Sequence, residues 1–386
     1  MDGAAPNGAT WIERLTLTNF RNHARAVLET GPGPVVLVGA NGAGKTNLLE
    51  AVSLLSPGRG LRRAPFAELA RHGQNDPWAI AARLHADANV VDIGTGLPAG
   101  AADQQSGRLV RIDGDPQQGS GALGFVQMVW LTPSSDALFT GPASERRRFV
   151  DRLIAAFDAG HATRSSQFDR AMRQRNRLLE DGVTAPARFE GLETIMAETG
   201  VAISAARRAV VDALRAVMDQ RRTLERGSPF PWAEVTLEGR VEDWLAIRAA
   251  VDAEDDYRAD LARNRARDRA AGRTLEGPHR SDLVVAHGPK AMPARLCSTG
   301  EQKALLVGLV LAHAKGLAAH ANGAAPILFL DEIAAHLDAD RRRGLYREIA
   351  QLGAQAWLTG TDRAAFDGLA ENARFFAVDG GSVTPD

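Results

Sequence analysis

The chain reads as an α/β protein: a lobe built on a mixed sheet with flanking helices and an antiparallel β layer, interrupted by a helical second lobe. Three observations predict it. Continuous apolar runs at Val35–Val38, Ile327–Leu330 and 356–358 have the composition of parallel strands buried on both faces. The first run leads into Gly39-Ala40-Asn41-Gly42-Ala43-Gly44-Lys45-Thr46, which fits G-x-x-x-x-G-K-[ST], and then into Leu48, Leu49, Val52 and Leu55 at helical spacing. Between residues 144 and 276 the apolar pattern turns helical and stays so. Strand, glycine-rich turn and helix start make a phosphate-binding loop. The glycines let backbone N–H groups wrap a phosphate chain, and the helix N-terminus adds partial positive charge. Lys45 is placed for the β- and γ-phosphates of a nucleotide, and the Thr46 hydroxyl for Mg²⁺.

Bulk properties narrow the classes further. The 386 residues suffice for two or three domains. A net charge of −1 gives no global basic field, so any DNA-binding surface has to be a local patch. Cys297 is the only cysteine, so no internal disulfide forms and a reducing compartment is expected. No apolar run approaches a membrane span, and MDGAAPNGAT has no signal-peptide pattern. The expectation is a cytoplasmic protein that does not engage membrane, with a disordered tail over residues 1–10.

In chain order, Trp11–Phe20 alternates as a strand, and Asn19-Phe20-Arg21-Asn22 closes it with a polar turn. Short strand-like runs at 78–84, 89–93 and 108–112 form the antiparallel layer, with 97–107 as a loop and 125–131 as a further buried strand. A first helix carries Phe149, Val150, Leu153, Ile154 and Phe157. A second carries Phe168, Met172, Leu178 and Leu179, and a third spans about 186–226. The last two, joined by a Gly-containing turn, predict a short antiparallel arm of order 60 Å. A helix at 252–271 is dense in Arg and Asp, and reads either as a solvated face or as a DNA-contacting one. The nucleotide lobe resumes near Gly277. The expected division is 1–143, 144–276 and 277–386.

Two more motifs bear on chemistry. Ile327-Leu328-Phe329-Leu330-Asp331-Glu332 is a buried strand ending in two acids, a position beside the phosphate loop in a parallel sheet. Asp331 would join the Mg²⁺ shell, and Glu332 would orient or deprotonate an attacking water. Ile333-Ala334-Ala335-His336-Leu337-Asp338 comes directly after. Ser298-Thr299-Gly300-Glu301-Gln302-Lys303 reads by itself as a helix start, with a hydroxyl cap and an acid in the first turn.

Phosphate loop, then S-x-G-E-x-K, then an apolar strand ending Asp-Glu: this order resembles the ABC-type P-loop ATPases. In that class Ser298 and Gly300 would reach the γ-phosphate held by a second chain. Within it, the sequence resembles the RecF family of bacterial recombination mediator ATPases over nearly its whole length. The likeness rests on Asn19-Phe20-Arg21-Asn22, on Gly141-Pro142-Ala143-Ser144-Glu145-Arg146-Arg147-Arg148-Phe149, on Gln174-Arg175-Asn176 and on Gly277-Pro278-His279-Arg280. The resemblance implies an ATP- and Mg²⁺-dependent homodimer that clamps duplex or gapped DNA near single-strand junctions. It also implies slow hydrolysis that releases the DNA, RecO- and RecR-like partners, recombinase loading, and support of the SOS response. Its catalytic residues would be Glu332 and Lys45, and its nucleotide-binding residues 39–46, Ser298, Gly300 and Asp331.

There are departures. Ser281 stands where the family usually has an acid. The switch histidine of ABC transporters is absent, with Thr361 as its counterpart. The glutamine loop is unassigned between Gln127 and Thr132. His279 either bonds backbone carbonyls or links nucleotide state to the helical lobe. Arg146–148 are either a solvated helix start or a phosphate-binding cluster. Cys297 reads as a packed residue rather than a reactive thiol. A transporter's nucleotide-binding subunit is the alternative function. An SMC-like structural ATPase would need a far longer arm.

Overall fold

The computed structural model describes residues 10–71, 77–86, 89–98, 107–224, 230–321, 323–334 and 337–386. The expected N-terminal tail, most of the 97–107 loop, and Ala335 and His336 lie outside them. Contacts divide the chain into two compact units, the first comprising 1–136, 226–231 and 299–386, the second 137–225 and 232–298.

The first unit opens with a hairpin, β1 (Trp11–Phe20) and β2 (His23–Glu29), turned by Arg21 and Asn22. Leu15, Leu17 and Phe20 alternate into the core. β3 (Val35–Val38) leads through the phosphate loop into α1 (Lys45–Ser53). β4 (Trp78–Ala86), β5 (Asn89–Leu97), β6 (Leu109–Ile112) and β7 (Asp115–Pro116) extend the hairpin into a six-stranded antiparallel sheet, in the order β2-β1-β4-β5-β6-β7. On β4, Trp78, Ile80, Ala82 and Leu84 are buried while Ala79, Ala81 and Arg83 are exposed, the period of a half-buried strand. β8 (Met128–Leu131) belongs to another sheet.

The second unit begins at α2 (Ala143–Ala155), which buries Phe149, Val150, Leu153 and Ile154. α3 (His161–Glu180) and α4 (Ala187–Leu224) are joined through Gly182, at φ 71°. Arg175 bonds Glu193, and Phe168 lies where Gly200 leaves no room for a Cβ, so the two helices run antiparallel. The 38 residues of α4 make it about 57 Å long. Beyond α4 the unit is not uniformly helical. β9 (Ala233–Glu238) and α5 (Arg240–Ile247) precede α6 (Ala250–Arg263) and α7 (Arg265–Ala270), which break at Asn264. β10 (Asp282–His287) pairs antiparallel with β9 and with β11 (Met292–Pro293). That pairing places residues 277–298 in the second unit by contact. A six-residue strand within a charged helical stretch offers too few alternations to stand out by pattern.

The chain returns to the first unit with α8 (Thr299–His320), buried without a break from Gln302 to Ala314. Then come β12 (Ile327–Leu330), α9 (Ala339–Leu352), β13 (Ala356–Gly360), β14 (Arg374–Asp379) and β15 (Ser382–Pro385). Their sheet runs β15-β14-β3-β13-β12-β8, parallel except for β15. All four residues of β12 are buried, as its apolar run requires. One core joins this sheet to the antiparallel one through Leu48, Leu49 and Val52 of α1. The buried Gln355 amide bonds both the N–H and the C=O of Ile12, standing in for a missing strand partner between the sheets.

The second unit is held by charge as well as apolar packing. Arg175 is fully buried, and its donors go to Glu193 (3.1 Å), Asp268 (2.7 Å), the Thr274 hydroxyl (2.8 Å) and the Leu261 carbonyl (2.7 Å). Removing the cation would leave two carboxylates buried with reduced compensation. Arg175→Met is therefore expected to lower unfolding free energy by about 3–5 kcal/mol in urea titrations. A loss below about 1 kcal/mol would show that the cluster's desolvation cancels its attraction.

Candidate nucleotide-binding site

The phosphate loop and the acid pair meet at the carboxyl ends of the parallel strands, with β13 between β3 and β12. Gly44 takes φ 117° at the N-terminus of α1, where a Cβ would collide with the side chains of Asn22 and His23. The first turn of α1 holds no acid, so its positive end is uncompensated. Lys45 lies buried against its own loop, its Nζ donating to the Gly39 carbonyl (2.7 Å) and the Ala40 carbonyl (2.9 Å). Burial holds its pKa below the ordinary lysine value, against the attraction of Glu332 and Asp331. Ala40, Asn41 and Gly42 are exposed at the loop's crest, while Ala43 is buried.

Thr46 and Asp331, 285 residues apart, are in contact: the Thr46 hydroxyl donates to the Asp331 carboxylate at 3.1–3.2 Å. A second hydroxyl, Thr359 of β13, donates to Asp331 Oδ1 at 2.7 Å and accepts the Glu332 backbone N–H at 2.8 Å. Glu332 itself is half-buried, with a left-handed backbone at φ 56°. Thr361, the expected switch counterpart, is exposed beyond the end of β13. Neither glutamine-loop candidate gains an assignment: the Gln127 carbonyl takes Ile327 N–H, and the Thr132 and Ser134 hydroxyls bond each other.

The loop is braced by residues that no motif marked. The Asn22 amide donates to the Ala43 carbonyl (2.9 Å), and His23, fully buried, lies between two carbonyls, Nδ1 2.8 Å from that of Gly381 and Nε2 3.3 Å from that of Gly44. Asn47 joins Asn22 to Arg62, and buried Glu50 binds both Arg21 and Arg62. Only the Asn19-Phe20-Arg21-Asn22 turn carried a signal, as a segment shared with a family.

The structure brings together Lys45, Thr46, Asp331 and Glu332. Gly300 contacts a different part of the first unit. Exposed Ser298 closes the second unit, and Gly300 lies in the first turn of α8, where its carbonyl accepts Arg341 Nη1 at 3.1 Å. On the same helix Lys303 pairs with Asp136 at 3.0 Å.

The model of the RecF/RecN/SMC N-terminal domain family matches residues 11–384. DNA replication and repair protein RecF of Mesorhizobium japonicum is 55% identical over 377 residues, covering 97% of this chain and 98% of its own. The chain belongs to the RecF family. The RecF of Brucella suis biovar 1 is 52% identical, with 97% of this chain and 96% of its own covered. A solved structure of the recombination mediator protein RecF-ATPrS in the RecFOR pathway shares the fold with a TM-score of 0.84 at 21% identity, covering 99% and 100% of the two chains. An Smc head domain from Pyrococcus furiosus aligns at 0.53 and 17% identity over 98% and 96%. These relatives do not favour the transporter alternative. Among the described residues no helix is long and apolar enough to cross a membrane.

In the RecF-like segments outside the nucleotide site, most of the hydrogen-bonding side chains pair within the second unit. Arg146 forks onto Asp282 at 2.7 and 2.8 Å, and Arg147 donates to the Ser281 carbonyl; Arg148 alone of the three is mostly exposed. Asn176 accepts both the N–H and the hydroxyl of Thr274. Gly277, at φ 136°, sits where a Cβ would strike the Tyr257 hydroxyl. His279 bonds the Thr274 carbonyl, and burial pulls it down to about 4, so it is neutral at physiological pH. Ser281, in the place of the family's acid, donates to the buried carboxylate of Glu242, which also accepts Ser204. The Arg- and Asp-rich helix turns Asp268 and Arg265 inward onto Arg175 and Glu193.

The donors at the acid pair suit Mg²⁺, a hard cation bound through few protein oxygens plus substrate phosphates: one carboxylate, Asp331, beside one hydroxyl, Thr46. Burial raises the Asp331 pKa above its ordinary value of 3.8, with Thr359 and Thr46 opposing the shift. The folded chain thus holds the Asp331 proton more tightly than the unfolded one. That contribution is present below pH 3.8 and lost as pH rises through the raised value, so at neutral pH the bare carboxylate is a cost. Asp331→Asn is expected to stabilise the nucleotide-free protein by about 1 kcal/mol while weakening Mg²⁺-dependent ATP binding at least about tenfold. Melting curves without nucleotide check the first part. A variant melting below the parent would show that the carboxylate is not disfavoured.

Proposed function

We propose that this chain is an ATP-dependent DNA-binding protein of replication and recombinational repair, working as a RecF-type switch. The contact between Thr46 of the phosphate loop and Asp331 of the acid strand carries the reading. ATP is the ligand and Mg²⁺ its companion, the metal held through Thr46 and Asp331. Mg²⁺, when bound there, would supply positive charge that offsets the charge of the phosphates. Lys45, released from the Gly39 and Ala40 carbonyls, meets the β- and γ-phosphates, and backbone N–H groups of residues 39–46 cradle them. Glu332 orients the attacking water and accepts its proton.

Two chains close on ATP, with Ser298 and Gly300 of each contributing to the nucleotide of the other, and the closed dimer clamps gapped or duplex DNA near a single-strand junction. Hydrolysis reopens it. Partners would be RecO- and RecR-like mediators, and the task recombinase loading and support of the damage response. Net charge near zero confines DNA contact to local patches. ATP biases an equilibrium between two assembly states.

Lys45→Ala should abolish ATP-driven dimerisation in sedimentation. Glu332→Gln should keep ATP binding and trap the dimer on gapped DNA while hydrolysis falls by about 100-fold or more. Hydrolysis by Glu332→Gln at the parental rate would remove that residue as the base.

Ser298→Arg should leave nucleotide binding by the monomer intact and block dimerisation, because a bulky cation fills the seat of the opposing γ-phosphate. Mixed with Lys45→Ala, it should recover part of the ATPase, since a C₂ heterodimer gathers both defects into one site and leaves the other whole. Full ATPase from Ser298→Arg alone would show that the site is completed within one chain.

A further inference from the structure

Thr359 is fully buried at the end of β13, the strand between the phosphate-loop strand and the acid strand. Leu358 is its last neighbour in register with β12, facing Leu330, so Thr359 stands level with the residues that leave β12 for the site. On the other side it pairs with Leu37 of β3. Its hydroxyl has a single hydrogen. A carboxylate can only accept and an amide N–H can only donate, so the polarity is fixed: Thr359 donates to Asp331 Oδ1 at 2.7 Å and receives the Glu332 N–H at 2.8 Å.

Both contacts act on groups that are otherwise poorly held. Asp331 is a buried carboxylate whose other hydroxyl contacts, from Thr46, are longer, at 3.1 and 3.2 Å. Glu332 adopts φ 56°, a region that disfavours a residue with a side chain by about 1–2 kcal/mol. Such a backbone persists only where its surroundings impose it, and the Thr359 oxygen takes the amide N–H at the strained residue.

We propose that Thr359 is a positioning residue of the ATPase, fixing the Asp331 rotamer toward Thr46 and holding the Glu332 backbone so that its carboxylate is presented to the attacking water. This role rests on the chain being an ATPase. A threonine suits the place for two reasons: its β-branch fits a buried strand, and its hydroxyl supplies a donor and an acceptor from one atom.

The test uses the full-length protein and three variants, with ATPase assays, ATP binding and amide hydrogen exchange. The parent must first hydrolyse ATP, and Lys45→Ala must abolish that; failure at this step overturns the ATPase reading itself. Thr359→Val keeps shape and removes only the hydroxyl. It should lower kcat by about 10–100-fold, with ATP affinity changed less than about threefold. Thr359→Ser restores the hydroxyl and should recover most of kcat. In nucleotide-free protein the Glu332 amide should exchange faster in Thr359→Val than in the parent or Thr359→Ser, a readout independent of turnover. Parental kcat and parental exchange in Thr359→Val would overturn the assignment. So would a Thr359→Ser variant as impaired as Thr359→Val, because shape rather than the hydroxyl would then be at issue.

Discussion

A phosphate loop has little side chain with which to hold itself, and the nucleotide site depends on the contacts that hold it from outside. Asn22 takes the Ala43 carbonyl, His23 lies between the carbonyls of Gly44 and Gly381, and Gly381 N–H returns to Ala43. The braces come from the first hairpin of the antiparallel sheet and from the last hairpin of the parallel one. The loop is thus clamped between sequence positions nearly the whole chain apart, and the antiparallel layer has a direct part in the site. With donors and acceptors satisfied at its base, the loop keeps the backbone shape that only glycine at position 44 permits, while its crest stays open.

The same clamp explains what was legible in the sequence. Lys45, Thr46, Asp331 and Glu332 could be read because each sits in a local pattern whose physics is local: a turn that needs glycine, or a buried strand that ends in charge. The β12 and β13 runs were equally plain, since strands buried on both faces cannot hide their composition. His23, Gln355 and Thr359 could not be read, because their importance is pairwise, and Asn22 stood out only as part of a segment shared with a family. A buried glutamine that bonds Ile12, 343 residues away, looks like any other glutamine until the sheets are brought together. β9 escaped for a different reason. Its six residues lie between the 38-residue α4 and the eight-residue α5, and their alternation is too short to compete with the helical pattern around them.

Family segments divide differently. Three of those most specific to RecF pair within the second unit: Arg146 forks onto Asp282, Arg175 is buried in an ion cluster, and Gly277 clears the Tyr257 hydroxyl. Less specific motifs, shared by many ATPases, are the ones that place Lys45, Thr46, Asp331 and Glu332 together. That division has a physical basis. A nucleotide presents the same phosphates to every protein that binds it, so the groups meeting it vary little. The shape of a lobe is set by how its own buried groups pair, and a buried charge tolerates few partners.

Two buried charges and a left-handed residue lie together at the nucleotide site of the first unit. Asp331 is a carboxylate that burial disfavours, Lys45 an ammonium in the same position, and Glu332 a residue in a left-handed backbone. Some buried charges elsewhere are met by groups of opposite charge. Asp151 shows the contrast: burial pushes its pKa up, yet the hydrogen bonds from His161 and Arg207 outweigh burial and leave it at about 2. The two carboxylates differ in what surrounds them. Asp151 has the Arg207 guanidinium and the His161 ring within 3.0 Å, whereas Asp331 has two hydroxyls, which stabilise its charge only weakly. A carboxylate held by hydroxyls keeps its capacity for a divalent cation, and one already neutralised by arginine does not. If Asp331 joins a metal shell, its under-compensated charge is what leaves it free to do so, and one hydroxyl of β13, that of Thr359, ties the Asp331 carboxylate to the Glu332 backbone.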